Sequence, residues 1–258
     1  MKKIKIVFLG QKPYSTLILN SLKKDKNIEI LRVIKDKNSL NELKTLKEKP
    51  DVAILANFGA ILKRDILNIP KKGFLNIHPS LLPKYRGSSP VQTAILNNDK
   101  EAGVTIFKID DQVDHGPILA QSKEEIKTQD TTNSLYERLF KIGVETLKTI
   151  LPSYIEDKIE LREQNHHKAT FTEKLTKNDG KIDWKKDNFY LERFIRAMYS
   201  WPEAWTEIKI NNQVKRLKVL KAHLEGNKLI LDQVQLEGKN CVSFKQFKEG
   251  YPKTEIIS

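Results

Sequence analysis

The chain has 258 residues, 39% of them hydrophobic and 31% charged, enough for a buried core and unlike a disordered or collagen-like composition. Its 46 Lys and Arg against 33 Asp and Glu leave a formal net charge of +13, which fits either a polyanionic partner such as RNA or a lysine-rich surface, since the basic residues form no long tract. One cysteine, Cys241, excludes a disulfide framework and a cysteine-built zinc site, no apolar run approaches the ~20 residues of a membrane span, and the short apolar start ending at Gly10 is no secretory signal, so a cytoplasmic enzyme is expected.

Ile4 to Leu9 is an apolar, β-rich run closed by Gly10 and reads as a buried parallel strand. The turn after this strand, GQKPYS, lacks the G-x-G-x-x-G of a dinucleotide site, and Leu17, Ile18 and Leu22 then follow at helical spacing. Ile28 to Ile34 reads as a second strand, Leu40 to Leu46 as a helix, Asp51 to Ala56 as a third strand, Ile61 to Leu67 as a short helix, and Gly73 to His78 as a fourth strand. Strands alternating with helices imply a parallel sheet with right-handed crossovers. Pro90 to Leu96 reads as a helix, Val104 to Ile109 as a strand, and Asp130 to Leu151 as a long helix with Asp130 as N-cap and Pro152 as its end.

The polar, irregular stretch 153–173 reads as a linker, with His166 and His167 as solvent-exposed side chains. Beyond it come a helix from Leu191 to Tyr199 and short runs Ala204 to Ile210, Val214 to Ala222, Lys228 to Gln235 and Val242 to Phe244, punctuated by Gly226 and Gly238. Short strands at this spacing predict a small β-barrel or meander. Trp184, Trp201 and Trp205 read as packing residues, and Cys241 as a buried small apolar one. The domains expected are therefore 1–152, a linker over 153–173, and 174–258.

The segment NIHPSLLPKYRG, Asn76 to Gly87, carries the most chemistry. Side chains two apart on a strand share a face, so Asn76 and His78 project together where the fourth strand ends, the edge at which open α/β sheets bind ligands. An amide can hold a developing oxyanion, and an imidazole can move the proton of an attacking amine. The later segment IDDQVDHGP, Ile109 to Pro117, also follows a strand, so it too is expected at the carboxyl edge. Its carboxylates are Asp110, Asp111 and Asp114; one of them near His78 would favour the imidazolium and orient the ring. An Asn and a His at a strand end are a weak signal alone, and Pro79 to Pro83 also reads as a plain rigid turn.

In this order, NIHPSLLPKYRG followed by GVTIFKIDDQVDHGPIL resembles the folate-dependent formyltransferase superfamily, over roughly Asp51 to Gln121. The resemblance implies a Rossmann-like α/β fold with a parallel sheet and helices on both faces. It puts Asn76, His78 and Asp114 at the catalytic positions, makes Ser80, Leu81, Leu82 and Pro83 a folate-binding loop, and wraps the pterin with Ile109, Asp110 and Asp111. It implies 10-formyltetrahydrofolate as co-substrate, with no metal. FTEKLTKNDGKIDW and LERFIRAMYSWPEAWTEI are similar to the second-domain entry of the methionyl-tRNA formyltransferases, implying a C-terminal oligonucleotide-binding (OB)-like β-barrel and methionyl initiator tRNA as acceptor. A nucleotide-linked amino sugar is the alternative acceptor, because the sugar N-formyltransferases share the catalytic loop and this chain has no long basic insertion after Ile34.

Overall fold

The computed structural model describes residues 3–257, whose contacts group them into two compact units. The first comprises the residues as far as Pro90 with Glu101–Glu125 and Tyr136–Glu173; the second comprises Val91–Lys100, Ile126–Leu135 and the chain from Lys174 onward.

In the first unit, β1 (Ile4–Gly10), β2 (Ile28–Ile34), β3 (Val52–Ala56) and β4 (Phe74–His78) form the parallel part of a six-stranded sheet. Every residue of β3 and of β4 is buried, which is why these strands read as continuous apolar runs rather than as alternating ones. Helix α1 (Ser15–Lys24) connects β1 to β2. Where a helix is expected over Leu40 to Leu46, residues Lys37–Thr45 form a 3₁₀ helix whose first turn is fixed by the Asp36 side chain accepting from the backbone of Asn38 and Ser39. The next helix, α2, covers only Arg64–Leu67. Val7, Leu9, Leu43, Leu55, Phe58, Leu62, Ile66 and Phe74 pack into one cluster on the sheet, each such side chain contributing about 1.5–3 kcal/mol on burial.

The sheet departs from the all-parallel expectation beyond β4. After the two-residue β5 (Arg86–Gly87) and α3 (Pro90–Leu96), β6 (Glu101–Lys108) pairs antiparallel with β4, with His78 opposite Thr105 and Leu75 opposite Lys108. A parallel partner needs a crossover that carries the chain back to the amino edge. Here the connection starts and ends at the same edge of β4. β7 (Ile118–Glu125) then returns antiparallel to β6. The strand order is β2-β1-β3-β4-β6-β7.

Helix α4 (Thr132–Ile155) runs three residues past Pro152, the expected stop. A proline this close to the last turn removes one backbone donor and leaves most of the ladder intact. Its start is capped by Thr131, whose hydroxyl accepts from Ser134 N at 3.3 Å, while Asp130 turns back to Lys127 N. Within the first unit, a Cβ at Gly143 of α4 would sit 2.6 Å from Ile77 and 2.9 Å from Val104, so only glycine lets the helix lie that close to the sheet. That packing occupies the Ile77 face of β4 and leaves Asn76 and His78 on the other.

The stretch 153–173 carries ordered pairing in the first unit: β8 (Phe171–Thr172) runs parallel to β5, and Arg162 bridges Ile118. In the second unit, α5 (Asn188–Met198) is capped by Asp187, which accepts from Tyr190 N at 2.8 Å, and buries Leu191, Phe194, Ile195 and Met198. Its last turn holds the 126–135 segment: Arg196 donates to Asp130 O, and Thr132 Oγ1 donates to Ala197 O at 2.6 Å. The rest is an antiparallel sheet of β9 (Ala204–Ile210), β10 (Gln213–Glu225), β11 (Lys228–Leu236), β12 (Cys241–Ser243) and β13 (Glu255–Ile257), ordered β12-β11-β10-β9-β13. The two edge strands are three residues each and do not pair with one another among the described residues, so no barrel closes. Helix α6 (Phe244–Gly250) follows β12. Cys241 is exposed, not buried, because it opens an edge strand. Among the described residues no helix is long and apolar enough to cross a membrane.

Candidate active site

Asn76 and His78 lie two residues apart on β4 and share a face, both buried in the protein. His78 is 4% exposed, and the Phe107 ring lies nearly perpendicular to its own with ring centres 6.4 Å apart. Its Nε2 sits 3.0 Å from the carbonyl oxygen of Tyr85. A carbonyl only accepts, so Nε2 carries the proton and the lone pair of the neutral ring falls on Nδ1. Nδ1 lies 3.5 Å from Asp114 Oδ2, a contact that becomes an ion pair when the ring is protonated.

Asp114 completes the group. Its Oδ1 lies 3.5 Å from Asn76 Nδ2, a long contact, and its Oδ2 accepts a firm 2.8 Å bond from the backbone N–H of Gly87. The amide, the imidazole and the carboxylate therefore converge, but by a route other than the one the sequence implied. Because β6 is antiparallel, its carboxyl end lies at the start of β4, with Ile109 N donating to Phe74 O. The acidic turn enters from the amino edge and reaches up to Asn76 and His78, with Asp114 in the left-handed region at φ 47°. Gly87 is required on the opposite wall: at φ +108°, a Cβ there would come within 2.3 Å of Thr172 O.

The remaining expected site residues divide into two places. Ser80 and Leu82 are buried and serve the loop itself, Ser80 Oγ donating to Lys84 O at 2.7 Å and Leu82 packing against Phe107 and Ile118. Thr105 Oγ1 donates to Ser80 O at 2.6 Å and accepts from Leu82 N, which pins the loop to β6. Leu81 and Pro83 are half-buried. Ile109, Asp110 and Asp111 line a cavity of about 500 Å³ together with Arg64, Leu67 and Lys108, and none of Ser80 to Pro83 reaches it. Asp110 binds His115 Nδ1 at 2.6 Å; Asp111 pairs with Arg64 at 2.6 Å, which holds the Asp111 carboxyl below its ordinary range.

The partners of several further side chains are not readable from the sequence. Arg86, 3% exposed, donates to Gln164 Oε1 at 2.7 Å and to His166 Nδ1 at 2.8 Å. Burial lowers its guanidinium from the ordinary value, against the pull of Asp114 and Asp110. The Thr170 backbone oxygen and hydroxyl accept from Arg86 N and Tyr85 N. His166, read as a free surface side chain, is exposed yet stacks on His115 with ring centres 3.9 Å apart.

Two family descriptions match the chain: formyl transferase over residues 35–151, and formyl transferase, C-terminal domain, over residues 174–230. The methionyl-tRNA formyltransferase of Wolbachia sp. subsp. Drosophila simulans is 38% identical over 266 residues, covering 96% of this chain and 85% of that protein. Five further curated relatives, also methionyl-tRNA formyltransferases, are 42% to 48% identical, but the chain spans only about half of their length, 50% to 58%. Among solved structures, methionyl-tRNA formyltransferase from Clostridium thermocellum superposes with a TM-score of 0.73 at 20% identity, covering 90% of this chain and 98% of that one. WlaRD, a sugar 3N-formyl transferase in the presence of dTDP and 5-N-formyl-THF, gives 0.67 at 24% identity, covering 94% of this chain and 98% of that one. At these identities the two structures establish a shared fold.

Proposed function

The chain belongs to the formyl transferase family, and on that premise we propose that it moves a formyl group from 10-formyltetrahydrofolate to the amino group of methionyl-tRNA. The observation that carries the chemistry is the convergence of Asn76, His78 and Asp114, with both Asp114 contacts at 3.5 Å. Contacts of this length suit a site that tightens around its substrates.

The roles follow from the atoms. The amine nitrogen attacks the formyl carbon, and the amide of Asn76 donates to the oxygen that gains charge. The lone pair on His78 Nδ1 takes the proton the amine must lose, because Nε2 is already committed to Tyr85 O. The Asp114 carboxylate, 3.5 Å from that nitrogen, faces the positive charge the ring then holds. As the bond from the formyl carbon to N10 of the folate breaks, His78 returns the proton to N10. The products are the formylated amine and tetrahydrofolate, and every atom is accounted for without a redox partner.

The cavity beside Ile109, Asp110 and Asp111 is of small-molecule size, and its apolar Ile109 and Leu67 next to two carboxylates suit a flat ring that bears N–H donors. We assign the pterin to it, with Ser80 to Pro83 as a braced loop that shapes the approach. The catalytic domain is read as 1–152, the segment 153–173 as the connection, and 174–258 as an OB-like substrate domain. The +13 charge suits a tRNA acceptor and a cytoplasmic enzyme of translation initiation. A nucleotide-linked amino sugar is the second reading, favoured by the likeness in fold to a sugar 3N-formyl transferase over 94% of this chain.

Purified chain supplied with 10-formyltetrahydrofolate is expected to formylate methionyl initiator tRNA. Turnover with a dTDP-linked amino sugar and none with the tRNA would replace the acceptor with the second reading. No transfer to either amine would remove the function.

A further inference from the structure

The buried guanidinium of Arg86 and the amide of Gln164 take no part in the steps above, yet together they close a ring of contacts on Asp114. Gln164 Nε2 donates to two backbone carbonyls, Asp114 O at 2.9 Å and Gly116 O at 2.7 Å. Its Oε1 accepts from two nitrogens of Arg86, at 3.2 and 2.7 Å. The orientation of the amide is unambiguous, because the carbonyls can only accept and the guanidinium can only donate. The residue after Arg86 is Gly87, whose N–H holds Asp114 Oδ2. Asp114 is thus gripped by its carboxylate from one strand and by its own carbonyl from the segment after α4, and the two grips are tied to each other through Arg86 and Gln164.

On the reading of function given above, we infer that Gln164 is a positioning residue, oriented by Arg86, that fixes the Asp114 turn so that the carboxylate stays opposed to His78 Nδ1. Aspartate enters the left-handed region more readily than most residues, but the conformation at Asp114 still costs energy relative to an extended one, and tertiary contacts of this kind hold it. Gln164 is itself 5% exposed, and both ends of its amide are engaged in this network. His166 locks the far end: its Nδ1 accepts from Arg86, which requires the neutral ring, and desolvation lowers this imidazole from its ordinary value, with the charges of His115 and Arg86 acting the same way. His115, stacked on His166, is anchored in turn by Asp110.

The test is a double-mutant cycle in the full chain. Gln164→Met keeps the length and removes the amide; Gln164→Glu keeps the acceptor for Arg86 and turns an oxygen toward two carbonyls. Both are expected to lower kcat by about tenfold, with KM for 10-formyltetrahydrofolate changed less than about twofold, because a small misplacement of a reacting group is costly while binding is not. In an Asp114→Asn background, followed by single turnover, neither should lower the rate further. Equal falls in both backgrounds, or no fall in the wild-type background, would overturn the inference. An independent reading needs no turnover: amide exchange at Gly87 should speed up by about tenfold or more in Gln164→Met. Should the wild-type chain formylate neither amine, the function fails, and the Gly87 amide still decides the clamp, with unchanged exchange overturning it.

Discussion

His78 is constrained at one ring nitrogen and open at the other, and this asymmetry makes it the residue whose loss should cost most. His78→Ala removes the imidazole 3.5 Å from Asp114, so turnover is expected to fall by about 10² or more, the usual range for an acid–base group. Folate affinity should hold, because neither the cavity at Ile109 nor the braced loop depends on that ring. Rates and folate titration measured together decide this, and near wild-type turnover in the variant would make His78 a packing residue. Gly87 makes a second prediction at the same scale. Its φ of +108° and the 2.3 Å approach to Thr172 O leave no room for a methyl group, so Gly87→Ala must displace either Asp114 or β8. A loss of roughly 2 kcal/mol or more in stability is expected, readable as a lowered urea midpoint.

Elements that were legible in the sequence are those whose evidence is local. Ile28–Ile34 is the strand its apolar run implied, and Ile4–Gly10, Val52–Ala56 and Phe74–His78 differ from their expected bounds by one residue. The direction of β6 was not legible, because a six-residue apolar run looks the same whichever way it pairs; the register of Leu75 with Lys108 is set by where the preceding connection ends. Gln164 was hidden for a related reason: it stands in a polar stretch, and its partners Arg86, Asp114 and Gly116 are each more than forty residues away. The end of α4 shows the same tertiary control. Tyr154 lies near its last turn, donates to Lys72 O at 2.6 Å just before β4, and is pushed up to about 12 by burial, with Asp157 adding. A raised phenol favours its neutral form in the folded state. The stability it contributes is whole below pH about 10, its unfolded value, and is lost as the pH rises toward about 12. The urea midpoint is expected to drop across that window by the equivalent of on the order of 2 kcal/mol, and Tyr154→Phe should lose this part of the drop. At neutral pH the same substitution should cost about 1 kcal/mol for the hydrogen bond. An identical alkaline slope in both proteins would place the raised phenol elsewhere.

For the molecule as a whole, the excess of 46 basic over 33 acidic side chains separates the two acceptors by a measurement that needs no variant. Much of the basic charge is already spent in surface pairs such as Lys5–Glu48, Lys44–Asp65 and Lys71–Asp51, each worth at most about 1 kcal/mol and indifferent to which substrate binds. The excess that remains acts on a polyelectrolyte through counterion release. For a nucleic acid, log K falls with log salt at a slope near −0.9 per neutralised phosphate, so about three phosphate contacts cost roughly 40-fold between about 50 and 200 mM salt. A nucleotide-linked sugar carries two phosphates and no condensed ion atmosphere, so ordinary screening weakens it only a few-fold over the same range. With methionyl-tRNA as acceptor and folate saturating, kcat/KM should therefore fall steeply and linearly on logarithmic axes, while kcat, set at the His78 and Asp114 geometry inside the first unit, stays nearly level. A flat kcat/KM with tRNA would mean that the basic surplus does not touch the phosphate backbone, and the charge of this chain would then carry no argument for a nucleic-acid substrate.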